Sequence, residues 1–412
     1  LNSPHGKAAR YRAVVRQIDH DHAEENQHHV RTLWYRRMVP RDTHELHRVA
    51  TPLELFFDLC FVVAIALAAA GMHHEIAEDH IWHGVTSFAL IFWGIWWAWM
   101  NFTWFASAYD TDDAVYRLTT FIQMTGALIF AAGVPRAFED ERLVLATIGY
   151  VVMRLALVSQ WLRAAAGHED TRRTTLRFAM GVALVQLLWV GRLFLPESLL
   201  WPAFLVLMTV EMLVPLWAES AGHTTWHPRH ISERYGLFTI IVLGETILAA
   251  TVAFQEATDA GNQSLELILV AAGGLAVVFS MWWLYFEPGE ARLEATGKYA
   301  FTWGYGHYFV FAPAAAVGAG LQVAIDYETD VAHTSNLVAS MAVAVPVAIY
   351  LMSVWALRVL PAMHGPIVPA VPACAALILV VTVFAHTTLV IGVILVVLVA
   401  FMIAAARKHE LD

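Results

Sequence analysis

The sequence predicts an all-α, polytopic membrane protein of about twelve transmembrane helices, arranged as two parallel six-helix repeats. Three observations predict it. First, 58% of the 412 residues are hydrophobic and only 15% are charged, where an average soluble protein has roughly 45–50% and about 25%; mean hydropathy is +0.56. Second, the apolar residues form long runs, as in 61–70, 88–100 and 267–284. With mildly polar flanks these reach the roughly 20 residues that a ~30 Å hydrocarbon core asks of a helix. Third, Lys and Arg gather in alternate loops, as a membrane topology requires. A soluble enzyme and a single-span receptor are excluded. So is a membrane β-barrel, whose strands are short and alternate apolar with polar residues.

Each span is bounded by polar residues or by Gly and Pro. Span 1 (52–71) starts behind Thr51 and ends at Gly71, before a loop rich in His and Glu. Span 2 (85–106) carries Trp96-Trp97-Ala98-Trp99 and stops before Asp110-Thr111-Asp112-Asp113. Span 3 (118–135) closes on Pro135-Arg136, span 4 (142–162) lies between Arg142 and Arg163, and span 5 (175–195) between Arg173 and Pro196. Span 6 (199–218) contains Pro202 and Pro215 and ends at Glu219; span 7 (232–255) follows His227-Pro228. Span 8 (265–286) ends at Glu287-Pro288, span 9 (300–323) follows Lys298, and span 10 (335–358) ends at Arg358. Only Ala385-His386 separates span 11 (367–384) from span 12 (387–406).

The chain divides into a His-rich basic tail (1–50), a first membrane half (51–219), a second half (220–407) and a short C-terminus (408–412). No cleavable signal peptide is expected, since residues 1–50 are polar and basic with no apolar stretch. With the N-terminus inside, the inner side holds 21 Lys and Arg, while the outer side holds only Arg136, Arg142 and Arg192. Arg154 lies within span 4. This bias puts both termini in the cytoplasm and implies an even number of spans. The repeat rests on spans 1 and 7, which start near Glu54 and Glu233, and on Trp96-Trp97 of span 2 and Trp282-Trp283 of span 8. Halves with an even number of helices are parallel, related by an axis along the membrane normal.

Two cysteines, Cys60 and Cys374, both in apolar runs, exclude a disulfide framework and a four-Cys zinc site. A net charge of −10 speaks against nucleic-acid binding. The partners expected are the lipid bilayer and a small cation or solute, and a homodimer is compatible with the sequence. No cofactor is read from it.

Ionisable residues at membrane depth are costly, so each is a candidate for function. Glu54 and Asp58 are four residues apart and share a face of span 1 with Phe61 and Ile65. Two carboxylates one turn apart can bind a cation or pass a proton. The alternative for Glu54 is a capping residue beside Thr51 and Pro52, near water. Glu245 lies about three turns into span 7, with Arg234 eleven residues earlier on nearly the same face; it faces a polar interior or pairs with Arg154. Glu211, between Pro202 and Pro215, can be presented inward by a bent helix. His307 of span 9 and Asn101 of span 2 are further candidates. Asp110, Asp112 and Asp113, with Arg117 one turn on, either attract cations at an access route or cap span 3. Arg234 belongs with this access or gating set.

Histidine is abundant, at 20 residues. One cluster lies in the tail (His20, His22, His28, His29). A second lies in the outer loop (His73, His74, His80 and His83 with Glu75, Glu78 and Asp79). A third lies in the inner loop (His227, His230, Glu233). Each has donor chemistry for a metal, but none has the spacing of a known metal motif. The outer loop, which lacks Lys and Arg, reads as a pH-responsive acidic face.

Several motifs together resemble the bacterial low-temperature-requirement protein A family. They are Thr51-Pro52-Leu53-Glu54-Leu55-Phe56-Phe57-Asp58-Leu59 with Phe61-Val62, Asp110-Thr111-Asp112-Asp113 with Arg117-Leu118, and Pro135-Arg136-Ala137-Phe138. Trp226-His227-Pro228 with His230-Ile231, Glu233-Arg234-Tyr235-Gly236-Leu237 and Leu243-Gly244-Glu245 complete the set. The resemblance covers about residues 45–406 and implies a multi-pass protein of the bacterial inner membrane, without a substrate or reaction. The first span also resembles the first helix of the lysosomal-type potassium channel family, where first helices line the pore. Here Phe57 replaces that family's serine, and Leu237 stands where a second Asp would be. The reading that follows is a transporter or channel for a cation or small solute. Its alternatives are a structural or sensory membrane protein, and a membrane-embedded enzyme using His227, His230 and Glu233.

Overall fold

Helices begin where a side chain can satisfy the first free amides. The computed structural model describes residues 34–42, 45, 48–140, 142–262, 264–288, 298–384 and 386–411. α1 (Pro52–Ala77) opens with a capping box: Thr51 Oγ1 accepts the Glu54 amide at 3.3 Å, and Glu54 Oε2 accepts the Thr51 amide at 2.7 Å. α2 (Ile81–Tyr109) follows a tight turn with Asp79 at φ +66°. Asp113 caps α3 (Ala114–Ala137) by accepting the Tyr116 amide at 2.8 Å. α4 (Val144–Gly167), α5 (Arg172–Arg192) and α6 (Glu197–Glu219) complete the first half. In the second half, His227 and then Pro228 start α7 (Pro228–Asp259), and Ser264 caps α8 (Leu265–Phe286). α9 (Lys298–Gly306), α10 (Tyr308–Glu328) and α11 (Asn336–Val354) follow. A π-helical turn (Trp355–Val359), α12 (Leu360–Ala362), α13 (Ile367–Val380), a 3₁₀ turn (Val381–Val383) and α14 (Thr387–Leu411) end the chain.

Among the described residues there is no strand. Eleven helical segments are long and apolar enough to cross a membrane, with Tyr299–Glu328 and Asn336–Ala362 each counted once; Ile367–Val383 is apolar but shorter. The chain is therefore a polytopic helical membrane protein. Apolar outer faces such as Leu184, Leu187 and Leu188 of α5 are exposed, which is what a lipid-covered helix presents.

Four elements differ from their sequence expectation. α1 does not end at Gly71 but runs on to Ala77, so His73, His74 and Glu75, expected in the outer loop, are helical. The ninth span is broken at His307, because the His307 ring Nδ1 bonds Trp303 O at 2.7 Å. That carbonyl would otherwise accept the His307 amide, which turns to Gly304 O at 3.3 Å instead. The tenth span does not stop at Arg358. Arg358 is buried, with Nε donating to Tyr285 O at 2.6 Å, and the helix runs on to Ala362. The break before the last span includes the 3₁₀ turn as well as His386, which sits at φ +53°.

α1 packs on α3 much as α7 packs on α10, and α3 packs on α4 as α10 packs on α11. α1 also meets α7 and α10. The two Trp pairs matched in the sequence occupy different settings: Trp96 and Trp97 are buried, Trp282 and Trp283 are exposed. A strap over residues 34–42 crosses the ends of α2 and α4. Met38 is buried there, Arg37 Nε donates to Gly167 O at 2.6 Å and the Arg41 amide to Ala108 O at 2.9 Å. The strap thus marks one end of the bundle, the strap end.

Candidate functional site

Where α1 meets α7, side chains of opposite charge face each other with no measurable exposure. Glu54 and Asp58 point the same way from α1, one turn apart, as the i,i+4 spacing dictates, and both are 0% exposed. Arg234 of α7, also 0% exposed, donates from Nη2 to Asp58 Oδ1 at 2.6 Å. Trp99 of α2 donates its indole N–H to the same oxygen at 2.7 Å. His230, one turn before Arg234, places Nε2 3.2 Å from Glu54 Oε1. Arg48, just before α1, roofs the cluster with Nη2 3.5 Å from Glu54 Oε1 and 3.4 Å from Asp110 Oδ2.

The cluster is not closed. Asp58 Oδ2, Arg234 Nε and Nη1, His230 Nδ1, Arg48 Nε and the Tyr116 hydroxyl are all buried with no hydrogen-bond partner among the described residues. Unmade hydrogen bonds in a dry interior cost about 1–3 kcal/mol each. Glu54 is thus both the capping residue and a buried ion-pair partner. The expectation that it lies near water is corrected, because Arg48 and His230 cover it.

The α1 and α7 segments that carry these charges lie within a long stretch that matches a known family. The sequence profile of the bacterial low temperature requirement A protein (LtrA) family fits residues 49–405. This chain belongs to the LtrA family. Among related chains, Uncharacterized protein RA0937 of Rhizobium meliloti (strain 1021) is 29% identical over 304 residues, covering 69% of this chain and 70% of its own.

Other candidates in this LtrA-family chain fall into separate groups. Glu211 lies inside the first half, where Arg154 holds its Oε1 from Nη2 at 2.6 Å and from Nε at 3.0 Å. Trp189 donates to Glu211 Oε2 at 2.8 Å, and Gln186 adds a longer contact of 3.4 Å to Oε1. Asn101 accepts from Arg154 at 3.4 Å. The alternative pairing of Arg154 with Glu245 is therefore corrected: α4 faces α6 through Arg154. Glu245 is half-buried, and among the described residues it has no hydrogen-bond or ion-pair partner. It stands roughly 16 Å of helix rise from Arg234, outside the α1–α7 cluster. His307 is buried, 3.0 Å from the Tyr285 hydroxyl. It reaches the Asp58 cluster only through rings, Tyr235 at 4.9 Å and then Trp99 at 5.0 Å from Tyr235.

The acidic loop before α3 is a set of occupied pairs. Asp113 caps α3, accepts the Arg36 amide at 2.6 Å and pairs with Arg163. Burial works to raise its pKa, but Arg163 and the backbone amides outweigh it and hold the carboxyl below its usual range. Asp110 behaves the other way: burial, helped by Glu54, raises its pKa against Arg48 and Arg41. Asp112 pairs with Arg117 at the surface, 2.8 Å apart. The inner His cluster also separates. His227 caps α7 and contacts Glu45 O at 2.9 Å, His230 turns to Glu54, and Glu233 accepts the Ala50 amide at 3.4 Å. At the other end of the bundle His73 pairs with Asp326, His333 with Glu78, and His80 and His83 with Glu75. Among the described residues no group of three His, Cys, Asp or Glu is placed to hold a metal ion. The tail histidines, His20 to His29, lie outside the described residues.

Sequence reasoning missed Arg48, Trp99 and Tyr116. Arg48 is legible only as one more basic residue of the tail. Trp99 is part of a Trp-rich run whose members all suit a core, and nothing in that run marks which indole meets a carboxylate.

Proposed function

We propose that this protein transports a cation or small solute across the bacterial inner membrane, with both termini in the cytoplasm. In this reading the α1–α7 charge cluster is the point at which it changes state. The observation that carries the reading is the half-closed Asp58–Arg234 pair: one carboxylate oxygen is shared by two donors, while the other oxygen and two guanidinium nitrogens have no partner among the described residues. A pair that only held helices together would gain by closing these bonds. A pair with spare donors and acceptors is suited to exchange a partner for a proton, a cation or water. It also sits between helices of the two halves, where a repeat-built transporter places its binding groups. The further proposal that residues 51–219 and 220–407 are repeats is supported by the matching order in which α1, α3, α4 and α7, α10, α11 pack.

The test is flux into liposomes of purified protein, with a cation panel and a pH dye. Asp58→Asn is expected to abolish flux. Removing one member of a buried pair costs about 3–5 kcal/mol, so loss of folding must be separated from loss of transport. The double variant Asp58→Asn with Arg234→Gln removes both charges and is expected to fold yet remain silent. A folded double variant with wild-type flux would refute the reading.

A further inference from the structure

The strap end holds a second feature that the charge cluster does not use. A cavity of about 50 Å³ lies among α2, α4, α5, α6, the 220–227 linker and α9. Its walls are aromatic: Trp104, Trp161, Trp226, Phe301 and Tyr305 line it, and Phe178 stacks on Trp161 with ring centroids 4.2 Å apart at 4°. Trp104 and Trp226 meet at 62° and 4.7 Å, Phe301 and Tyr305 at 90° and 5.9 Å, so the aromatic side chains that line the cavity stand at steep angles to one another. One formal charge is present in the lining, Glu219; no Lys or Arg contributes. That carboxylate is held in place. Thr224 donates its amide to both oxygens at 3.2 and 3.3 Å and its hydroxyl to Oε1 at 2.5 Å, and His223 Nδ1 lies 3.0 Å from Oε2.

We propose that this cavity binds a small methylated ammonium cation. Ring faces carry negative potential and attract a cation, more strongly when water is excluded. A methylated ammonium is the cation that suits such walls, because its charge is spread over methyl groups and its hydration is weak. A metal cation would have to exchange tightly bound water for rings. An anion would meet Glu219. A neutral apolar molecule would gain nothing from a carboxylate fixed by three hydrogen bonds from one residue. The size agrees: at roughly 10–15 Å³ per water-sized position, the cavity holds about four waters, or ~120 Å³ of liquid, comparable to a trimethylammonium head. The site stands apart from the Asp58–Arg234 reading, since binding to purified protein in detergent requires no transport.

The test is isothermal titration calorimetry with choline and with 3,3-dimethylbutan-1-ol, which has the same shape without the charge. Choline is expected to bind at least about tenfold more tightly than the alcohol. Glu219→Gln and Phe301→Leu are each expected to weaken choline binding by about tenfold. Absence of choline binding at ~10 mM, or equal binding of the alcohol, overturns the proposal. Unaltered choline binding by folded Glu219→Gln also overturns it. Should that variant fail to fold, the wild-type comparison of the two ligands decides alone.

Discussion

Three buried or half-buried carboxylates in the membrane spans differ in how far their hydrogen bonds are met. Glu211 has both oxygens occupied, by Arg154 and Trp189, and Gln186 lies close. Asp58 has one oxygen occupied twice and the other bare. Glu245 has no partner among the described residues. A carboxylate with both oxygens met is what a structural ion pair needs; Arg154 Nη1, like two nitrogens of Arg234, lacks a partner among the described residues, so the contrast lies in the carboxylates, and Glu211 with Arg154 holds α4, α5 and α6 together. Glu211→Ala is expected to leave Arg154 charged and alone, with a loss of about 3–5 kcal/mol. Arg154→Met with Glu211→Leu replaces both by apolar side chains and is expected to recover most of that stability. Thermal unfolding in detergent measures both. A double variant as unstable as Glu211→Ala would remove the structural role. That Glu211 turns inward was legible from Pro202 and Pro215. That Arg154 prefers it to Glu245 was not, because a partner is chosen by which helices touch, and spacing along the chain does not encode that.

The helices themselves were largely legible, since a run of about 20 apolar residues has few alternatives in a membrane. Their interruptions were not. The break at His307 arises when a side chain takes a backbone carbonyl, and nothing in the run Trp303 to His307 announces it. Helix contact is likewise written in small residues whose meaning appears only in the packed state. A Cβ on Gly149 of α4 would lie 2.3 Å from the Phe130 amide nitrogen, and one on Gly126 of α3 would lie 2.7 Å from the Met153 nitrogen. Neither contact can be relieved by turning a side chain, because backbone stands on the far side. Such close approach is how helices associate in lipid, where small residues let dispersion contacts accumulate. Gly149→Ala is therefore expected to destabilise the protein by about 1–3 kcal/mol through overpacking. Gly191→Ala in α5, where a Cβ meets nothing within 4 Å, is expected to be neutral or to gain up to ~1 kcal/mol from helix propensity. The two melting temperatures, measured side by side, test the distinction; equal behaviour would mean that α3 and α4 can separate at little cost.

At the scale of the whole molecule, the side of the membrane on which each terminus lies turns on one short element. Eleven segments are long enough to cross, and Ile367–Val383 is the twelfth. If it does not cross, the count is odd and the termini lie on opposite sides. Its length argues that it crosses. Fourteen α-helical residues rise about 21 Å and three 3₁₀ residues about 6 Å, and the resulting ~27 Å is within the mismatch that a bilayer absorbs by thinning. The charge argument points the same way. Arg48, Arg234 and Arg358 are buried in the protein, and so is Arg192. Setting them aside removes three from the inner 21 and one from the outer three, leaving 18 against two. A bias of that size is the one expected under the proposed orientation, with the N-terminus inside. Arg407 and Lys408 follow the last span and favour the same side. A fluorescent reporter that is dark in the periplasm, fused after Asp412, is accordingly expected to glow. Fusion to a loop between α13 and α14, around Phe384, is expected to be dark. A bright signal at Phe384 with a dark, well-expressed fusion at Asp412 would mean that Ile367–Val383 returns without crossing, and that the second half does not match the first in its number of spans.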